Sequence, residues 1–254
     1  MRYAKGSLVV SGERDIPLLR LVRNSRFITH DQLFEFMKLG GFDHDRNAFN
    51  WRLKRLRDSG YVSSCAEIHG AGSAVYRITK NGVTLLEHHG QFTTVMNSKT
   101  EHLPHLVQAF HAIELNSVHL TLARHNLVAS WQTEVEIASF NTTSHSPFCK
   151  DYDAVVDVWL GDRKARFALE YERTLKSLTH YRRIRDLLEL EQEVKCILYL
   201  TSGTELLGPL VQEFGSVRKN LAFATAGSFK QDLLDTAVLL GNGLLAARFR
   251  DLLQ

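Results

Sequence analysis

The chain is poor in cysteine, with three in 254 residues, and Cys65, Cys149 and Cys196 lie far apart. They form no paired-thiol motif and cannot build a zinc site alone, so a reducing, cytoplasmic setting is the simplest reading. No stretch approaches the roughly 20 consecutive apolar residues that span a bilayer. The run Leu8-Val9-Val10 is too short for a secretory signal core. Charge of one sign is also scarce: 31 Lys and Arg against 28 Asp and Glu leave a net +3. That balance is too mild to establish nucleic-acid binding, so the distribution of charge has to carry that argument. Internal repeats and low-complexity segments are missing. What remains, 44% hydrophobic and 23% charged, is a globular composition, long enough for one large or two ordinary domains.

The N-terminal third reads as helices followed by a hairpin. Asp15 to Arg23 carries Ile16, Leu18, Leu19, Leu21 and Val22 as a short helix. Thr29 is an N-cap for a second helix through Leu33, Phe34, Phe36, Met37 and Leu39, which Gly40-Gly41 stops. Asp43 or Asp45 caps a third, running to about Asp58 and ended by Gly60. Tyr61-Val62-Ser63, a Gly70-Ala71-Gly72 turn and Val75 to Ile78 form a hairpin signal, and Thr79 caps a last short helix. Three helices and a two-stranded wing are the winged helix-turn-helix plan, which places its third helix in the DNA major groove. From Arg46 to Arg57 there are five basic residues and no acid. Phe49, Leu53 and Leu56 make one face; Arg46, Asn47, Asn50, Lys54 and Arg57 fall on another. Arg and Asn can bond base edges bidentately and Lys serves phosphates. Arg77 and Lys80, beside the wing, are expected phosphate contacts.

Gln91 to Lys99 is polar and reads as a linker. His102 to His125 reads as a long helix bearing His102, His105, His111, His119 and His125. None has the spacing of paired helical metal ligands around an acid, so packing or surface roles are expected. Trp131 to Ile137 alternates like a strand, and Asn141 to Lys150 reads as a loop. Then come two strands with four carboxylates, Tyr152 to Leu160 with Asp153 and Asp157, and Ala165 to Glu172 with Glu170 and Glu172, joined at Gly161-Asp162. Residues two or four apart share a strand face, so a hairpin can gather both pairs. Acids on apolar strands are costly without a cation, a proton or a basic partner. Leu175 to Glu191 reads as a helix with a basic patch at Arg182, Arg183 and Arg185. Val194 to Leu200 and Leu221 to Thr225 are further strands, with a helix from Glu205 to Phe214 between them. Such alternation implies a mixed or parallel sheet covered by helices. Leu244 to Leu253 reads as an amphipathic helix with Arg248 and Arg250.

The order of a winged helix, a helix beginning Leu103-Pro-His-Leu106, the strand Asp153-Ala-Val-Val156, Phe167-Ala-Leu-Glu-Tyr-Glu-Arg173 and Ser177-Leu-Thr-His-Tyr-Arg-Arg183 resembles the replication-relaxation family of plasmids and other bacterial mobile elements. The resemblance spans roughly Glu13 to Leu200. It implies DNA transactions in plasmid replication, topology or transfer, and a C-terminal half similar to the restriction-endonuclease-like fold. Such sites use an Asp on one strand and Glu-x-Lys on the next. By that resemblance Asp153 is the strand Asp, with Tyr152 where a proline often stands, and Glu170 is the Glu. Glu172 then occupies the lysine position, a departure, because the lysine helps position the attacking water. Lys176 on the following helix is the substitute in reach; Lys164 lies earlier on the strand. The implied metal ligands for Mg²⁺ or Mn²⁺ are Asp153, Asp157 and Glu170, and Tyr181 and Arg182 are expected backbone contacts.

The fold class expected is α/β (α+β overall), with a winged-helix domain over 1–90, a linker over 91–101 and a restriction-endonuclease-like domain over 102–254. The function expected is double-stranded DNA binding in a plasmid or mobile element, regulating replication, mobilisation or transcription, with a degenerate nuclease-like domain. Two alternatives stand beside it: a metal-dependent endonuclease or nickase using Asp153, Glu170 and Glu172, and a protein-interaction scaffold. Expected partners are duplex DNA, a second copy in a homodimer, and replication or mobilisation proteins, without a membrane, in a cytoplasmic, nucleoid- or plasmid-associated setting.

Overall fold

The computed structural model describes residues 9–93, 105–143, 147–241, 243–246 and 248–253. These fall into two compact units, 9–93 with 105–116, and 117–253. In the first, α1 (Asp15–Ser25), β1 (Ile28–Thr29), α2 (His30–Leu39), α3 (Arg46–Asp58), β2 (Val62–Ser64), β3 (Val75–Ile78) and α4 (Lys80–His88) follow one another, in the expected order but for β1, a short strand that the sequence reading did not place. The sequence places their ends by capping. The Thr29 hydroxyl accepts from Gln32 N–H at 3.2 Å while the Gln32 side chain accepts from Thr29 N–H, a reciprocal box at the start of α2. Asp45, rather than Asp43, caps α3 by accepting from Ala48 N–H, and Thr79 caps α4. Gly41 and Gly60 take positive φ, at 73° and 74°, where the chain leaves α2 and α3.

The strands form an antiparallel sheet ordered β1-β3-β2. Leu18, Leu19 and Val22 of α1, Leu33 and Met37 of α2, and Phe49, Leu53 and Leu56 of α3 close one core with Tyr76 and Leu86. A smaller cluster joins Phe27, Cys65, Ile68 and Val75 to Ala109 and Ala112 on α5 (His105–Arg124). The Asn116 side chain donates to Phe27 C=O at 2.9 Å and the Gln32 side chain to Ile113 C=O at 2.7 Å. These contacts bring the first half of α5 into the first unit, although the sequence reading starts its second domain at 102. His102 and Leu103-Pro104 of the family-like motif, and most of the expected linker, lie outside the described residues.

The second unit is built on β4 (Val128–Thr133), α6 (Glu134–Thr142), β5 (Ala154–Leu160), β6 (Arg163–Glu172), α7 (Leu178–Leu190), β7 (Cys196–Thr201), α8 (Leu207–Phe214), β8 (Asn220–Thr225), α9 (Ala226–Asp232), β9 (Val238–Leu240) and β10 (Leu245–Ala246). Among the described residues they make one mixed seven-stranded sheet, ordered β10-β9-β8-β7-β6-β5-β4. The β6-β7-β8 centre is parallel and the flanking pairs are antiparallel. Val155, Ala168, Ile197, Tyr199 and Phe223 pack on one face under Tyr181, Ile184 and Leu188 of α7 and Leu210 and Phe214 of α8.

Two expectations fail. Trp131 to Ile137 is not one strand: β4 stops at Thr133 and α6 begins. Glu136 accepts from both the Thr133 N–H, at 2.9 Å, and its hydroxyl, at 2.8 Å. A short alternating run is ambiguous, and here the Thr-x-x-Glu helix start overrides it. Leu244 to Leu253 is not one helix either. It gives β10 and then a 3₁₀ turn, Phe249–Leu253. Phe249 is fully buried, its ring 5.0 Å from that of Phe167 and 6.0 Å from that of Phe229. Burying that ring decides the local path.

Candidate functional site

The first site is the outer face of α3. Asp15, fully buried on α1, accepts from Arg52 at 3.1 Å and from Arg55 at 2.6 Å, and Arg52 also bonds Asp43 at 3.0 Å. Two of the basic residues of α3 therefore hold it against the rest of its unit. The others stay outward. Arg46, Asn47, Asn50, Lys54 and Arg57 are all exposed, as are Arg77 on β3 and Lys80 at the start of α4. Arg46 pairs with Asp31 and lies 5.0 Å from the Phe34 ring centre. That bond holds the Asp31 carboxyl below its usual range. Lys54 reaches Asp58 one turn on, an exposed pair that contributes little, about 0–1 kcal/mol. One residue on this face went unremarked in the sequence: Trp51 is 73% exposed.

The second site lies at the C-terminal ends of the parallel strands in the second unit. Glu170 and Glu172 are buried, 4% and 3% exposed. Each carries a lysine. Lys150 Nζ bonds Glu170 Oε1, and Lys176 Nζ bonds Glu172 Oε1 at 2.6 Å. Asp153 joins them by register, since Ala154 pairs with Leu169, and its carboxylate accepts from Tyr171 N–H at 2.7 Å. Burial pushes both glutamates up, with Asp153 adding to the effect and the lysines opposing it. Burial by itself would lower Lys176, but Glu172 and Glu170 outweigh it and raise that lysine above its ordinary value. The Tyr199 hydroxyl, wholly buried and facing the same three acids, has no hydrogen-bond partner among the described residues.

Lys150 is the member of this cluster that the sequence did not single out, because it sits in the segment read as a loop. A buried anchor places it. Glu191, at the end of α7, accepts from Cys149 N–H at 3.1 Å, Tyr152 hydroxyl at 2.9 Å and Glu193 N–H at 2.8 Å. Burial opposes its ionisation, but these donors prevail and keep it below the usual range. The Lys150 ammonium also lies 4.8 Å from the Tyr152 ring centre. Tyr152 is thus half of the clamp on this loop.

Other expected residues lie elsewhere. Asp157 is held by Arg166 at 2.8 Å and Ser130 at 2.7 Å. It shares a face with Asp153, but four residues of strand separate their backbones by roughly 13 Å. Lys164 sits over the Trp159 ring, 4.7 Å from its centre, at the hairpin end. Tyr181 is 1% exposed and its hydroxyl accepts from Lys176 N–H at 3.0 Å, so it is a core residue and not a backbone contact. Arg182 and Arg183 are exposed on α7, whereas Arg185 bonds Glu213 C=O at 2.7 Å. His119 stacks on Trp131 at 4.2 Å, and burial lowers it to about 3, a neutral packing histidine.

The expected Mg²⁺ or Mn²⁺ ligands do not fit a metal in this arrangement. Asp157 is elsewhere, ammonium groups occupy the two glutamates, and among the described residues no three His, Cys, Asp or Glu side chains are grouped to hold an ion. The cluster supplies its own cations.

Against known families, the chain matches one model, described as Replication-relaxation, over residues 19–193. No curated protein and no solved structure matches it. The matched region runs from α1 to the turn before β7 and so includes both α3 and the acid–lysine strands.

Proposed function

The chain belongs to the replication-relaxation family, and from that premise we propose that it is a double-stranded DNA-binding protein acting in the replication or mobilisation of a plasmid or other mobile element. The observation that carries this is the outer face of α3. Its apolar side is spent in the core and Arg52 and Arg55 are tied inward, yet Arg46, Asn47, Asn50, Lys54 and Arg57 remain exposed on one side. Asn and Arg are base-edge readers and Lys a phosphate partner. With the β2-β3 hairpin as a wing, bearing Arg77 and followed by Lys80, the unit is a winged helix in this reading.

The second unit is read as a restriction-endonuclease-like domain with a retired site. Its support is the antiparallel β5-β6 pair running into the parallel β6-β7-β8 centre, with the acids at the strand ends. Lys150 pairs with Glu170, the metal ligand in such sites, which favours a structural or binding role over cutting, whereas Lys176 on Glu172 supplies the lysine that the endonuclease alternative needs.

The test is one gel. Purified protein is incubated with supercoiled plasmid, with and without Mg²⁺ or Mn²⁺, beside Glu170→Ala. Retarded but intact plasmid in every lane is expected. Nicked or linear product that disappears in Glu170→Ala overturns the retired-site reading and restores the endonuclease. Lack of retardation at low salt, where phosphate contacts are strongest, overturns DNA binding and leaves a protein-interaction scaffold. On a duplex selected from random sequences, Asn50→Ala and Arg46→Ala are expected to relax sequence preference, and Lys54→Ala to weaken all duplexes alike. An unchanged binding constant in the first two variants removes α3 as the reading element.

A further inference from the structure

We propose that Trp51 is a direct DNA contact, its indole lying against the apolar sugar or thymine-methyl surface of the duplex that α3 enters. The inference rests on the reading of α3 as the DNA-facing helix and names a residue that reading does not require. Tryptophan is seldom left in water, because it is the largest apolar side chain and is highly buried on average. Trp51 is 73% exposed, in the middle of α3. The unit has no packing use for it, since Phe49, Leu53 and Leu56 already close the core from the same helix.

The neighbours of Trp51 choose the occupant. Helical spacing puts Asn47 one turn before it and Lys54 and Arg55 one turn after, on the same side. A shallow concavity beside the indole is lined by Ala48, Lys54, Arg55, Asp58 and Ser59. An apolar ring between the Lys54 ammonium, exposed beside its partner Asp58, and the Asn47 amide that reads base edges complements an anionic polymer with apolar patches between its charges. Duplex DNA is such a polymer: its phosphates take the cations, and its sugars and thymine methyls offer the apolar surface. A second copy of α3 would instead bring the same positive charges together.

The full-length protein is titrated into a dye-labelled, mixed-sequence duplex over a range of salt, read by anisotropy. Trp51→Ala is expected to weaken binding about tenfold, or about 1.4 kcal/mol, at every salt concentration. Its plot of log affinity against log salt keeps the wild-type slope, because no phosphate contact is lost. Lys54→Ala, in contrast, lowers the slope by about one. Trp51→Phe, which retains a ring, is expected to recover most of the loss. Wild-type tryptophan emission should become less quenchable by acrylamide when duplex is added, and Trp51→Phe should remove that change. Wild-type retention of the duplex with equal affinity in Trp51→Ala overturns the inference and leaves the DNA-binding reading intact. Wild-type failure to bind at low salt overturns both. Should Trp51→Ala not fold, emission that stays equally quenchable with and without duplex is the overturning result.

Discussion

At Glu170 a carboxylate is kept in a place where water cannot solvate it, and Lys150 is the group that makes its charge tolerable. Burial raises the folded-state pKa of Glu170 above its unfolded value, so at a pH between the two the folded protein holds a proton that the unfolded chain has lost. The stability this supplies is present at acid pH and is lost as pH rises from the ordinary glutamate value through the folded one. Replacing Lys150 with Met removes a cation that lowers Glu170 and moves the folded value higher still. The cost of Lys150→Met is therefore expected to be small below the ordinary glutamate range and to reach about 3 kcal/mol at neutral pH, where folding has to protonate Glu170 or leave its carboxylate buried and unpaired. Urea unfolding of both proteins at acid and neutral pH measures it; an equal cost at the two values would sink the account. Of the two lysine partners only one was plain from spacing. Lys176 lies four residues after Glu172 and was in reach, but Lys150 lies twenty before Glu170. Only the clamp of Tyr152 on Glu191 delivers it.

Elements are set by local chemistry where a cap or turn residue is unambiguous, and by packing where it is not. Thr29, Asp45 and Thr79 each begin a helix as their side-chain chemistry dictates. Gly82 shows the other case. A glycine inside a helix ordinarily costs about 1 kcal/mol relative to Ala, so Gly82→Ala on α4 looks stabilising from sequence. A Cβ there would stand 2.3 Å from Tyr61 C=O and 2.7 Å from the Ile78 side chain. The substitution is expected to destabilise by about 2 kcal/mol through overpacking between α4 and the hairpin. A raised urea midpoint in Gly82→Ala would contradict that packing. The turn from β4 into α6 is a third case, where period-two alternation and a Thr133–Glu136 helix start compete for the same residues. The start wins because both Thr133 donors find the Glu136 carboxylate.

For the whole molecule, a net charge of +3 supplies little long-range attraction to DNA, so binding has to come from local contacts. With Lys54, Arg77 and Lys80 as the phosphate partners, log affinity is expected to fall with log salt at a slope of about −3. A slope near zero would show that α3 and the wing do not meet phosphates. A far steeper one would add contacts from elsewhere, Arg182 and Arg183 on the exposed side of α7 being the first to substitute.

The helices and hairpin of the first unit, the β5-β6-α7-β7-α8-β8 run of the second, the basic outer face of α3 and the gathering of Asp153, Glu170 and Glu172 at neighbouring strands were determined by sequence. Caps, glycines and apolar periodicity act over a few residues, and nearby chemistry suffices to read them. Which acids meet was decided only by tertiary structure. Alternation tells the face a side chain takes but not how far along the strand its partners lie, so Asp157 went to Arg166 and not to the cluster. The same limit hid the burial of Tyr181, which depends on α8 and the sheet packing around it. The outward position of Trp51, in contrast, follows from the helical spacing that turns Phe49, Leu53 and Leu56 inward. Distances across a fold depend on register and on loops far away in the chain, and spacing along the sequence carries neither.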